Sequence, residues 1–195
     1  MILVITPETI VPSESKIINQ MFYDGLDLLH IRKPWISREE MAGFISSIHE
    51  QFYGQLVLHS HYDLGQDYGV SRFHFREEDR KNGKYKPFMN RDIISTSVHE
   101  ITAYNTLEKE WEYAFISPFF PSISKKGYGI DSTVMESLKQ RNNPDVKLIG
   151  LGGIDSSRIH EVFELGVDGV ALLGAIWEND EPLNVFRKCK KNVPL

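Results

Sequence analysis

Eight short runs of strand-forming residues recur along the chain, spaced so that a helix or turn fits between successive members. They lie at Ile2–Ile5, Leu26–Ile31, Gln55–Leu58, Arg72–Phe75, Ile93–Thr96, Tyr113–Ile116, Lys147–Gly150 and Asp168–Leu173. Helical patterns separate several of them, at Ser13–Phe22, His99–Lys109, Ser132–Lys139 and Ser156–Leu165. Another begins at Ser37-Arg38-Glu39-Glu40, a capping-box spacing, and repeats apolar Met41, Phe44, Ile45 and Ile48 at helical intervals. Strands alternating with helices imply a parallel sheet, and eight such units closing on themselves imply an α/β fold of the (β/α)8 TIM-barrel type. We read residues 1–195 as one such domain, somewhat trimmed, because 195 residues fall slightly short of the usual barrel. Some helices must therefore be short: Asp63 to Phe73 has room for only about two turns. The charged stretch Glu77–Asn90 reads as a surface loop with one turn of helix.

Bulk properties narrow the functional classes. A formal net charge of −5 argues against general nucleic-acid or membrane-surface binding, and the apolar runs are far short of a membrane span. An anionic ligand would need locally placed cations and backbone donors. Cys189 is the only cysteine, which excludes an intrachain disulfide and a cysteine-based zinc cluster. The strand-like start ILVIT leaves no room for a signal peptide, so the expected location is cytoplasmic.

In a barrel the reactive groups sit at the C-terminal ends of the strands. Those ends carry His30-Ile31-Arg32-Lys33, His59-Ser60-His61, His74 through Asp79, Ser95 through His99, and Ser117-Pro118 running on to Ser122-Ile123-Ser124-Lys125-Lys126. Five of the seven histidines fall there. Arg32 at a strand end suits bidentate phosphate binding, and Lys33 is either a second phosphate cation or a surface charge. His59 and His61, two apart, would share a strand face and could ligate a metal, although no third ligand stands out. His99 at a helix start either caps and packs or acts chemically. Lys125–Ile130 reads as a flexible loop where barrels commonly carry a lid.

The stretch KLIGLGGIDSSRIHEVFELGVDGVALLGAI, Lys147–Ile176, reads as strand, glycine turn, helix, strand, glycine turn. Gly152-Gly153 and Gly174-Ala175 occupy the loops where barrels bind phosphate. Glycine there lets backbone N–H groups approach an anion. The bland alternative is that these glycines only make tight turns.

The ordered set G-G-I, G-V-D-G-V-A-L-L-G-A-I, S-V-H and F-x-S-x-S-K resembles the thiamine phosphate synthase/thiazole tautomerase superfamily of TIM barrels, from Met1 to about Lys190. In the synthase branch a pyrimidine methyl diphosphate ionises, and the nitrogen of thiazole phosphate captures the carbocation with loss of pyrophosphate. The resemblance implies small phosphorylated pyrimidine and thiazole substrates, self-association and Mg²⁺. It assigns His30 and Arg32 to the family's Gln–x–Arg, with Lys33 one place before its lysine. It assigns Ser122, Ser124 and Lys125 to the diphosphate-binding Thr–x–Thr–Lys. Gly152, Gly153, Gly174 and Ala175 would hold thiazole phosphate, and His59 and Ser97 would line the substrate site.

Two departures stand out. His59-Ser60 replaces the family's Asn-Asp, so one Mg²⁺ carboxylate is missing, and Asp79 is the remaining metal ligand, with Arg76 where the family has glycine. His99 matches the acid/base histidine of the tautomerase branch, which needs neither diphosphate nor Mg²⁺. The expected function is the transferase, with Arg32, His99 and Lys125 as catalytic residues. The alternatives are a thiazole tautomerase using His99, or a degraded barrel that only binds the phosphorylated thiazole or thiamine.

Overall fold

A computed structural model of the chain describes residues 1–121, 129 and 132–194. Its strands are β1 (Ile2–Ile5), β2 (Leu28–Ile31), β3 (Leu56–Leu58), β4 (Arg72–Phe75), β5 (Ile93–Val98), β6 (Trp111–Ile116), β7 (Lys147–Leu151) and β8 (Gly169–Leu172). All pair in parallel in chain order, and β1 pairs with β8 to close the barrel. The helices are α1 (Glu14–Tyr23), α2 (Arg38–Ser46), α3 (Leu64–Tyr68), α4 (Glu77–Lys81), α5 (Ile101–Asn105), α6 (Val134–Ser137), α7 (Ile159–Glu164), α8 (Gly174–Trp177) and α9 (Pro182–Lys191). Two 3₁₀ turns, Glu50–Gln55 and Leu138–Gln140, complete the outer layer. No described helix is long and apolar enough to cross a membrane.

The sequence signals explain the element edges. Ser37 caps α2 through the expected box: its side chain accepts from the Glu40 N–H, and Glu40 accepts from the Ser37 N–H. The second run starts later than expected, because Asp27 lies outside β2 and accepts the Ile2 N–H at 2.7 Å. The expected helix His99–Lys109 shrinks to α5, since β5 continues through Val98 and a turn from Glu108 starts β6. Before α7, Asp155 accepts from the Ser157 backbone, so residues 155–158 form a turn and the helix begins later than Ser156. The 77–90 stretch supplies one helical turn, α4, but is less superficial than expected. Phe88 and Tyr85 pack against the core, with Phe88 5.0 Å from Phe73 and Tyr85 4.7 Å from Trp111.

Successive strand residues face opposite sides, and here the two sides form two cores. Ile2, Val4, Leu29, Ile31, Leu56 and Leu58 join the large layer beneath the helices. Leu3, Ile5, Leu28, Val57, Tyr113, Phe115, Ile149 and Ala171 fill the barrel interior. This parity fixes which strand-end residues can reach the axis.

Candidate active site at the barrel mouth

Leu28 faces inward, so the alternation brings His30 inward as well, and its register partner on β3 is the interior residue Val57. His59 follows Val57 by two, and inward His74 pairs in register with Ser95. Three imidazoles therefore meet in the upper barrel. His30 Nδ1 lies 2.8 Å from His59 Nε2, and His30 Nε2 lies 2.8 Å from the Tyr113 hydroxyl. A neutral imidazole donates from one nitrogen and accepts at the other, so His30 is held from both sides. The His74 nitrogens each meet a serine hydroxyl, Nδ1 to Ser95 and Nε2 to Ser97, both at 2.9 Å. The His59 and His74 rings stack at 4.4 Å, and Phe115 lies 4.6 Å from His30 and 4.9 Å from His74.

This environment holds all three rings neutral. Burial pushes His30 and His59 well below the ordinary histidine range, and the neighbouring His74 adds to it. His74 falls to about 3, again chiefly by burial, with the Arg32 charge second and Asp79 opposing.

His61 does not share a face with His59. β3 ends at Leu58, and His61 adopts φ 50°, in the left-handed region, so its Nε2 meets the Ile36 carbonyl at 3.1 Å. The metal pairing expected from the two-residue spacing fails for that reason. His30 and His74 complete a set around His59 instead.

Arg32 and Lys33 separate by the same parity. Arg32 is half-buried at the rim; its backbone N–H donates to Thr6 Oγ1 at 2.9 Å, and Nη1 donates to Glu8 Oε1 at 2.6 Å. The Glu8 carboxylate also accepts from the indole of exposed Trp35. Lys33 turns to the helix layer. Its side chain is 0% exposed, with Nζ 2.9 Å from Glu14 of α1 and bonded to the Pro7 and Thr9 carbonyls at 3.0 and 3.1 Å. Burial lowers the Lys33 pKa and raises that of Glu14, each opposed by the other's charge. The expected phosphate role of Lys33 is corrected: its charge is consumed inside the fold.

Asp79, in α4, accepts from Arg76 Nε at 2.9 Å and Lys84 Nζ at 2.6 Å. Burial alone would raise its pKa, but these two bonds outweigh it and hold the carboxyl below its ordinary range. Ser60 stands where the resemblance expects a second metal carboxylate, and its buried hydroxyl has no hydrogen-bond partner among the described residues. A hard cation needs several oxygen ligands, usually carboxylates. One serine and one doubly paired carboxylate do not fit Mg²⁺, and the expected role of Asp79 as a ligand loses its support.

His99 follows β5 and is exposed at the rim, where Nδ1–H donates to the Ser117 carbonyl at 3.0 Å. Ser97, half-buried, is bound to His74. On the opposite arc Gly152 and Gly153 follow β7 with φ of 100° and 65°. A Cβ at Gly152 would meet Pro118 Cα at 3.0 Å, and one at Gly153 would collide with the Pro121 carbonyl oxygen and lie 2.7 Å from Phe120 Cβ. These glycines are required by the turn and by the close approach of segment 118–121, before any ligand is considered. Gly174 and Ala175 are half-buried where β8 turns into α8. Ser122, Ser124, Lys125 and most of the expected lid lie outside the described residues.

The fold has known counterparts. The sequence profile described as thiamine monophosphate synthase matches residues 2–176. The chain belongs to that family. Among curated members, the thiamine-phosphate synthase of Clostridium tetani is 22% identical over 167 residues, covering 83% of this chain and 79% of that protein. The one from Listeria monocytogenes serotype 4b (strain F2365) is 24% identical over 164 residues, covering 78% and 73%. The crystal structure of thiamine phosphate pyrophosphorylase from Bacteroides thetaiotaomicron superposes with a TM-score of 0.81 at 23% identity, covering 97% of this chain and 95% of that one. A 3-hexulose-6-phosphate synthase superposes at 0.68 with 12% identity, covering all of both chains. At such identities the superpositions establish the fold alone.

Sequence reasoning missed Tyr113, and although it placed Ser95 and His74 at strand ends it gave them no part in the site. The available signal was strand parity, which turns Tyr113, Ser95, His74 and His30 inward together.

Proposed function

We propose that this member of the thiamine monophosphate synthase family is a transferase that joins a pyrimidine methyl diphosphate to thiazole phosphate. The C–O bond of the methyl diphosphate breaks, a C–N bond to the thiazole nitrogen forms, and pyrophosphate leaves. The observation that carries this reading is the placement of Arg32 and both glycine turns on one rim of a closed parallel barrel. Backbone N–H groups at Gly152-Gly153 and Gly174-Ala175 would take the thiazole phosphate. Arg32 would leave Glu8 to stabilise charge developing on the diphosphate. From the sequence match, Ser122, Ser124 and Lys125 would assist it. The donor set at Ser60 and Asp79 does not suit Mg²⁺.

Incubation of the folded protein with both phosphorylated precursors, with and without Mg²⁺, tests the reading. Thiamine phosphate should form, and Lys125→Ala should abolish it. No product from protein with a normal melting transition would sink the proposal.

One observation favours a second reading, thiazole tautomerisation. The Nδ1–H of His99 is fixed on the Ser117 carbonyl, which leaves Nε2 to exchange a proton and suits a proton carrier. That reading expects metal-independent isomerisation of the thiazole carboxylate phosphate, lost in His99→Ala. Retained thiazole phosphate binding with both assays silent would leave the barrel a binding protein.

A further inference from the structure

We propose that His30, His59 and His74 form a site for one borderline divalent transition-metal ion, with Zn²⁺ as the occupant that the donor set fits best. The inference follows from the donors alone and does not rest on either reading of the reaction.

Each histidine offers one nitrogen, and these atoms all lie within 4.8 Å of one another. Tetrahedral Zn²⁺ with Zn–N near 2.0–2.1 Å requires nitrogens roughly 3.3–3.4 Å apart. The His30–His59 pair, at 2.8 Å, would open slightly, and the remaining separations would close, by ring rotations that leave the strands in place. Three neutral imidazoles suit Zn²⁺ and its neighbours, whereas Mg²⁺ prefers carboxylate and water. Burial holds the rings neutral, so each has a lone pair to give.

The surroundings match those of built metal sites, where ligating histidines are oriented through their second nitrogen. Tyr113 holds His30 Nε2 while Nδ1 faces the cluster. Serines hold both His74 nitrogens, so one hydroxyl remains in place whichever nitrogen turns to the metal. Phe115 closes the floor beneath His30 and His74. His59 is half-buried and stands at the mouth side, next to Ser60. Three protein ligands leave a fourth position for water or a substrate oxygen.

The test uses the untagged full chain, stripped with a chelator and titrated with Zn²⁺ by calorimetry and with Co²⁺ by visible absorption. One equivalent of each should bind, and Co²⁺ should give the intense visible bands of a four-coordinate site with three nitrogen ligands, discharged by Zn²⁺. His59→Gln and His74→Gln should each weaken Zn²⁺ binding by about 100-fold or more, since even outer-shell losses cost 10–100-fold. His160→Gln, an exposed substitution on α7, should leave it unchanged. Melting curves identify any variant that fails to fold, and the wild-type Co²⁺ spectrum stands independently of the variants. No uptake, a weak six-coordinate Co²⁺ spectrum, or equal affinity in folded His59→Gln would overturn the proposal. The cluster would then be a hydrogen-bonded network that shares protons and no metal.

Discussion

The two arcs of the barrel mouth are built by different means. The β7–β8 arc is made of backbone: Gly152 and Gly153 take positive φ and let segment 118–121 lie against them. The β2–β6 arc is made of side chains: three neutral histidines, two serines and a tyrosine hydrogen-bond inside the barrel, with a buried Lys33–Glu14 pair behind them. A backbone arc tolerates few substitutions because its shape is conformational. A side-chain arc can change its chemistry while the strands stay put, and the resemblance drawn from the sequence puts His59 and Ser60, its missing metal carboxylate, here.

The comparison can be broken by mutation. The largest effect is expected behind the side-chain arc. Lys33→Ala leaves the Glu14 carboxylate buried without its cation and should cost about 3–5 kcal/mol in urea unfolding at neutral pH. Burial already raises the Glu14 pKa, and removing the ammonium raises it further, so the folded variant binds a proton that the unfolded chain releases. The deficit should therefore shrink as pH falls from 7 toward the ordinary glutamate value of 4.5. A pH-independent deficit would mean that Glu14 is not the source of the cost.

Next comes the backbone arc. Gly153→Ala combines positive φ with a collision against Pro121 and Phe120, and should cost about 3 kcal/mol. Gly166→Ala shares the positive φ, at 89°, but meets nothing within 4 Å; it should cost only about 1 kcal/mol. Equal losses by denaturant titration would show that conformation alone, and not the approach of segment 118–121, sets the glycine requirement.

Two smaller effects sharpen the side-chain arc. Arg32→Ala should lower kcat/KM by about 10–100-fold, chiefly through kcat, as loss of a charge-assisted hydrogen bond to the developing diphosphate charge would, with little change in melting temperature. Asp79→Asn should lower stability by about 1 kcal/mol or less, because Arg76 and Lys84 are largely exposed. Its response to Mg²⁺ should match the wild type; a lost response would restore Asp79 as a metal ligand.

The backbone arc was the more legible one. G-G-I and L-G-A-I announce tight turns after strands, and glycine has few other reasons to recur there. Arg32 and Lys33 show the opposite case. Adjacent in sequence, they looked like one cationic pair, but parity sends Arg32 to the rim and Lys33 beneath α1 and α2. His59 and His61 failed as a pair because the strand stops at Leu58, after which a two-residue spacing no longer means a shared face.

Strand count and the two-residue alternation along each strand are local properties of hydrophobic period, and the amino-acid sequence by itself determined them. It also set the family, which the profile match over residues 2–176 bears out. Tertiary structure alone decided which inward residues stand at the same height. That depends on the register between neighbouring strands and on closure of β8 against β1, which bring together His30, His59, His74 and Tyr113 from up to 83 residues apart. Their conversion from separate strand-end histidines into one neutral cluster is a product of burial, which exists only once the barrel has closed.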